Sequence, residues 1–109
     1  MYTFESRVRF SEADHTELLT LPGLVNYFQD CSTFQSEDIG YGVESLKKSG
    51  QAWILSAWQI VVKRYPKLGE HIRVSTWATD FTGLFGLRNF KMEDEAGEMT
   101  AWANSVWVY

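Results

Sequence analysis

Only one stretch of the chain, Leu21 to Ile39, has a helical period with a readable start and stop. Thr20, followed by Leu21 and Pro22, forms an N-cap with proline in the first turn. The apolar stripe runs through Leu21, Leu24, Val25, Phe28, Cys31 and Ile39 in steps of three or four, interrupted where Gln35 takes a turn. Asn26, Asp30, Thr33 and Glu37 lie opposite, and Tyr27 and Phe34 widen one flank. Gly40 and Gly42 then supply positions that end helices. Beyond residue 50 the pattern is strand only. One strand before a long helix and four after it predict an α+β domain, an antiparallel sheet of about five strands wrapped around one central helix.

The strands read as follows. Tyr2, Phe4, Val8 and Phe10 oppose Thr3, Glu5, Arg7 and Arg9, the pattern of a half-buried strand. SEADHTEL, residues 11–18, is a polar, acidic connection. A short helical turn is expected over Val43 to Lys48. The nearly continuous apolar run AWILSAWQIVVKRY reads as a strand covered on both faces, and so as central in the sheet. Pro66 to Gly69 form a turn, HIRVSTWATDF the next strand, and Thr82 with Gly83 its break. Leu84 to Glu93 follow, with Gly86 at a bulge or close approach. Asp94 to Gly97 make a tight hairpin into Met99 to Tyr109. There Trp102, Asn104, Val106 and Val108 share one face and Ala101, Ala103, Ser105, Trp107 and Tyr109 the other. This element order is the hot-dog arrangement.

A net charge of -4 and a pI near 5.1 argue against nucleic acid or an anionic membrane surface as partners. The single cysteine, Cys31, has no internal disulfide partner and falls on the apolar stripe, as in a reducing compartment. A cytoplasmic location is expected. The N-terminus alternates like a strand rather than a signal peptide, and no apolar run approaches the roughly 18 residues of a membrane span. Five tryptophans imply a broad core, an interface or a pocket for an apolar ligand, with core filling the simplest account.

Specific segments carry a family resemblance. The helix start LPGLVNYFQD, the run from Trp53 through Trp77, and Arg88, Asn89 and Phe90 followed by DEAGEMTAWANSVWV resemble the first hot-dog domain of acyl-acyl carrier protein thioesterases. That family similarly has an apolar strand ending in a Tyr-Pro turn with a following Gly, here Tyr65, Pro66 and Gly69. It shares a Thr-Trp pair, here Thr76 and Trp77, and a Ser-x-Trp-Val near the last strand, here Ser105, Trp107 and Val108. The resemblance implies hydrolysis of the thioester between a fatty acyl chain and the phosphopantetheine arm of acyl carrier protein, without metal or cofactor. In members resembling this chain, the acid/base residues and an Asn-His motif belong mainly to a second hot-dog domain. Residues 1–109 are therefore expected to be the first half of a tandem protein. Pairing in tandem or as a homodimer is expected in either case, because an isolated hot-dog domain leaves a long sheet edge open.

Thioester hydrolysis needs a carboxylate and N–H donors for the oxyanion, the latter available at a buried helix N-terminus. Asp14 resembles the catalytic carboxylate of single-domain hot-dog thioesterases in its spacing from Arg9 and Phe10, and His15 is of the residue type that serves as acid or base. The His-Val-Asn-Asn that follows in many such enzymes is absent, and Gly23 to Asn26 is a loose echo. A solvated loop acid and a surface histidine are the plain alternatives. Asn26, Gln29 and Asp30 project from the helix, and Gln35 offers either a polar contact to substrate or an end emerging into water. Cys31 reads as inert packing.

For substrate binding, Leu24, Phe28, Trp53, Leu55 and Trp77 would border an acyl tunnel, with Asn26 adding a polar contact; the same apolar residues would also make an ordinary core. Lys47, Lys48, Lys63, Arg64 and Lys67 would guide an acidic carrier protein or simply keep the surface soluble. Two main readings stand: half of an acyl-carrier thioesterase, or a catalytically silent module that binds acyl chains or completes another domain. A single-domain acyl-CoA thioesterase is a further alternative. A 3-hydroxyacyl dehydratase is disfavoured, since no His with a partner acid falls at the expected positions.

Overall fold

The helix begins where the sequence places it. In the computed structural model, which describes residues 1–38, 54–82 and 85–108, Thr20 Oγ1 accepts the Gly23 N–H at 3.1 Å and the Thr20 carbonyl accepts that of Leu24 at 2.9 Å. The helix α1 covers Leu21–Asp38. Its expected end at Ile39, Gly40, Gly42 and the turn over Val43 to Lys48 lie outside the described residues. Gly23 is required by packing, since a Cβ there would come within 2.8 Å of Leu19 Cδ1 and 3.3 Å of the Glu12 carbonyl.

The buried stripe is narrower than the sequence pattern and turned toward one flank. Leu24, Tyr27, Phe28 and Cys31 are all fully buried, whereas Leu21 is 46% and Phe34 44% exposed. Residues 24, 27, 28 and 31 form one line on a helix, and that line is pressed onto the strands. Tyr27, expected at the margin, is at the centre, where it stacks on Phe4 with centroids 6.3 Å apart.

Five strands are described: β1 (Tyr2–Arg7), β2 (Ile54–Val62), β3 (His71–Thr82), β4 (Phe85–Asp94) and β5 (Met99–Val108); the first stops short of the expected Val8 and Phe10, and Phe10 is exposed in a short 3-10 turn over Phe10–Glu12. They form one antiparallel sheet in the order β1-β3-β4-β5-β2. The apolar run expected at the centre is therefore an edge: β2 pairs with β5 alone among the described strands. Apolarity on both faces does not make a strand central when the second neighbour is missing. Trp58, Ile60 and Val62 face the helix side and are half-buried, while Ala57 and Val61 are exposed on the other. The opposite edge, β1, presents Thr3, Glu5 and Arg7 outward, the polar dressing that keeps an edge from pairing.

Gly86 is not the bulge. It pairs in register with Phe81 and Trp107, and the extra residue is Thr79 on β3, between the pairs Ala78 with Arg88 and Asp80 with Leu87. The predicted hairpin is present: Asp94 Oδ1 accepts the N–H groups of Ala96 and Glu98 at 3.0 and 2.9 Å, and Gly97 has φ 86°.

The two sheet faces differ. Toward the helix point Ile72, Val74 and Thr76 of β3, Phe90 and Met92 of β4, and Ala101, Ala103 and Ser105 of β5, each at most 2% exposed. Away from it point Trp77, Asn89, Lys91, Trp102 and Asn104.

Candidate functional site

The loop before the helix is tightly sewn in place. Leu19 N–H donates to the Pro66 carbonyl at 2.8 Å, Leu68 N–H to that of Glu17 at 2.8 Å, and Thr20 N–H to that of Glu12 at 3.0 Å. Glu17 adopts φ 63°, a left-handed conformation that costs a non-glycine residue about 1–2 kcal/mol and is held by these neighbours. Asp14 and His15 project from this loop into solvent. Asp14 Oδ1 accepts the Thr16 hydroxyl and, at 2.9 Å, the Thr16 N–H, so the carboxyl titrates below its usual range and is ionised at neutral pH. A carboxyl with a lowered pKa is a weakened base.

The helix N-terminus offers little to an oxyanion. Pro22 has no N–H, and those of Gly23 and Leu24 serve Thr20. The Leu21 N–H is the first-turn donor not engaged by a described residue.

A carboxylate the sequence reading passed over, Glu12, ties the loop to the helix. Its Oε1 accepts the Tyr27 hydroxyl at 2.5 Å and the Arg9 backbone N–H at 2.9 Å, and its Oε2 meets Arg9 Nε at 3.0 Å and Nη2 at 2.9 Å. Burial and then the Glu12 hydrogen bond raise the Tyr27 pKa, keeping the phenol protonated as a donor. The Arg9 guanidinium lies 5.8 Å from the Tyr27 ring centre. With these partners Glu12 acts as a latch.

The apolar wall under the helix is aromatic. Phe28 stacks on Phe90 at 5.2 Å and on Trp58 at 6.2 Å, and Trp58 and Phe90 are 5.1 Å apart. Leu24 completes this layer. Small Ala103, paired with Phe90 and Ile60, leaves room for the rings. Of the expected lining, Leu24 and Phe28 come together here. Trp53 and the side chain of Leu55 fall outside the described residues. Asn26 is exposed on the outside of the helix. Trp77 is on the far side of the sheet, where it borders a groove of about 510 Å³ with Asn89, Lys91, Met99, Trp102 and Asn104. A period-two register separates it from Phe28, since Thr76 takes the inward position and odd-numbered neighbours point out. Trp58 and Phe90 were missed, although the alternation of β4 already put Phe90 in line with Met92.

Cys31 is buried against the Val74 carbonyl, and burial pushes its thiol up to about 12, so the packing reading stands. Arg64 is committed to Glu70, at 2.6 Å, and Asp94, at 3.0 Å, which leaves Lys63 and Lys67 as the exposed cations of the expected carrier-guiding set. Lys47 and Lys48 lie outside the described residues. Among the described residues, no cluster of His, Cys, Asp and Glu could hold a metal, and no helix is long and apolar enough to cross a membrane.

A family model described as the acyl-ACP thioesterase N-terminal domain matches residues 1–109. The chain belongs to the acyl-ACP thioesterase family. It is 28% identical over 109 residues to the chloroplastic palmitoyl-acyl carrier protein thioesterase of Gossypium hirsutum, covering 93% of this chain and 26% of that protein. It superposes on an acyl-ACP thioesterase from Bacteroides thetaiotaomicron with a TM-score of 0.89 at 30% identity, covering 97% of this chain and 44% of the other. A DHNA-CoA thioesterase from Staphylococcus aureus, at 16% identity and a TM-score of 0.88 over 98% of this chain and 72% of that one, shares the fold. The architecture is thus the predicted hot-dog fold. The chain spans 26% of the length of the plant relative and 44% of the Bacteroides chain.

Proposed function

We propose that this chain is the substrate-holding half of a fatty acyl-acyl carrier protein thioesterase. The observation that carries the reading is the aromatic and aliphatic layer of Leu24, Phe28, Trp58 and Phe90 under the helix, in a chain of this family. Each methylene of an acyl chain buried there contributes about 0.8 kcal/mol. In the reaction water adds to the thioester carbonyl, the C–S bond breaks, the acid is released and the proton goes to the departing pantetheine thiol. Asp14 is the carboxylate of this chain placed to orient that water, with His15 beside it; the remaining chemistry belongs to a second hot-dog domain or a second copy. The apolar β2 edge supports such pairing. Lys63 and Lys67 are the described cations open to an acidic carrier protein. A reducing location such as the cytoplasm suits the free Cys31, while the plant relative is chloroplastic by name.

A non-catalytic acyl-binding module is the second reading. It is favoured by Asp14 being engaged with Thr16 and by the Gly23 and Leu24 N–H groups being engaged with Thr20. Hydrolysis of an acyl-carrier substrate by the longest natural chain, with and without Asp14→Asn, separates the two. A loss of about 100-fold or more in kcat assigns Asp14 to catalysis, and unchanged turnover removes it. Robust hydrolysis by residues 1–109 alone would overturn the placement of the chemistry outside this domain.

A further inference from the structure

On the inner face, Arg88 is a cation with no acid beside it among the described residues. Arg88 of β4 points to the helix side beside Ser105 of β5 and is half-buried. Its Nη1 donates to Gln35 Oε1 of α1 and, at 3.2 Å, to Thr76 Oγ1 of β3. The Thr76 hydroxyl spends its proton on the Asn89 carbonyl at 2.9 Å, so it presents a lone pair to the guanidinium. Both partners of Arg88 are therefore neutral, and the nearby Cys31 thiol is neutral as well. Among the described residues no carboxylate lies within ion-pairing distance of Arg88, and its Nε and Nη2 have no acceptor.

A half-buried charge is ordinarily paired, because desolvation disfavours it; here burial draws the Arg88 pKa down with no described acid beside it. The described contacts hold the guanidinium by one corner, at Nη1, and engage neither Nε nor Nη2. The Nε–Nη2 edge is the fork that takes both oxygens of a carboxylate, and its fixed orientation lowers the entropy lost on binding. Cys31 links this group to the aromatic layer, since it follows Leu24 and Phe28 on the buried line of the helix and lies within electrostatic reach of Arg88.

We infer that Arg88, oriented by Gln35 and Thr76, is a carboxylate site at the end of the acyl-lined layer, and that it retains the free fatty acid. The inference rests on the reading of that layer as acyl lining. It adds regulation: the product binds through a charge that the thioester lacks, so accumulating acid slows its own production.

The test is calorimetric titration of the protein with decanoate and with 1-decanol, which share a chain and differ in the charged head. Decanoate is expected to bind about tenfold or more tighter, as a charge-assisted hydrogen bond predicts. Arg88→Met is expected to remove that difference and leave 1-decanol unchanged. Equal affinity for both ligands in the unmodified protein overturns the carboxylate site while the acyl lining stands; binding of neither overturns the lining and the site with it. Should Arg88→Met fail to fold, two measurements replace it. Gln35→Leu, which frees the guanidinium to swing, must weaken decanoate selectively. Decanoate binding to the unmodified protein must also weaken as pH falls through the carboxylate range of about 4 to 5. Failure of either overturns the inference.

Discussion

The two faces of the sheet are built from the same alternating strands, yet only one is a closed layer. Toward the helix, Phe90, Met92, Ala101 and Ala103 are excluded from water, and Phe28 and Trp58 close over them. Away from it, Trp77 and Trp102 border an open groove beside Lys91 and two asparagines, and Trp102 stays 38% exposed. The helix covers the more apolar face, and the outer groove mixes its tryptophans with lysine and asparagine. A tryptophan on a strand joins the layer under the helix only if its parity turns it that way, as for Trp58 and not for Trp77.

The largest test of that contrast is truncation on each face. Phe28→Ala is expected to lower the unfolding free energy by about 3–5 kcal/mol, while Trp102→Ala costs about 1 kcal/mol or less. Urea unfolding measures both, and equal losses would break the distinction.

Tyr27→Phe keeps the ring in the inner layer and removes only the hydroxyl that Glu12 accepts at 2.5 Å. A loss of about 1–2 kcal/mol is expected from the lost hydrogen bond to a charged oxygen, since Oε1 keeps only the Arg9 N–H. A neutral result would show that Arg9 alone holds the latch. Thr20→Ala removes the cap that seats the helix, with an expected loss of about 1 kcal/mol and recovery on Thr20→Ser.

The smallest effect is the pH response outside both faces. The Arg64 hydrogen bond holds the Glu70 carboxyl below its usual range, and the Glu98 N–H followed by Arg64 does the same for Asp94. Folded-state values below the unfolded ones mean that this stabilisation is present above about pH 4–4.5 and is lost as pH falls through the lower folded values. The urea midpoint should decline with acidification, and Arg64→Met should flatten part of that decline. The shared Arg64 side chain is 43% exposed, so solvent screens both pairs and the effect is small.

Much of the fold was legible because it depends on local rules. The Thr20 cap, the Asp94 to Gly97 hairpin and the alternation of β5 each follow from residues within a few positions of one another. The site was legible in part. Leu24 and Phe28 follow from helical spacing, but the Arg88 cluster joins α1, β3 and β4 across 53 residues, and no local pattern reports such a meeting. Asp14 was visible as a loop acid, while its engagement by Thr16 appeared only with the loop's conformation.

The sequence by itself determined one helix, five strands, the turns between many of them and the absence of an internal disulfide, since each is set by spacing, backbone preference or residue count. Tertiary structure alone decided that the most apolar strand is an edge among the described strands, that Tyr27 rather than Leu21 anchors the helix, and that Trp77 faces away from the layer under the helix. Those outcomes depend on which elements become neighbours and on the rotation of the helix over the sheet. Both are fixed by long-range packing, to which spacing within a single element is blind.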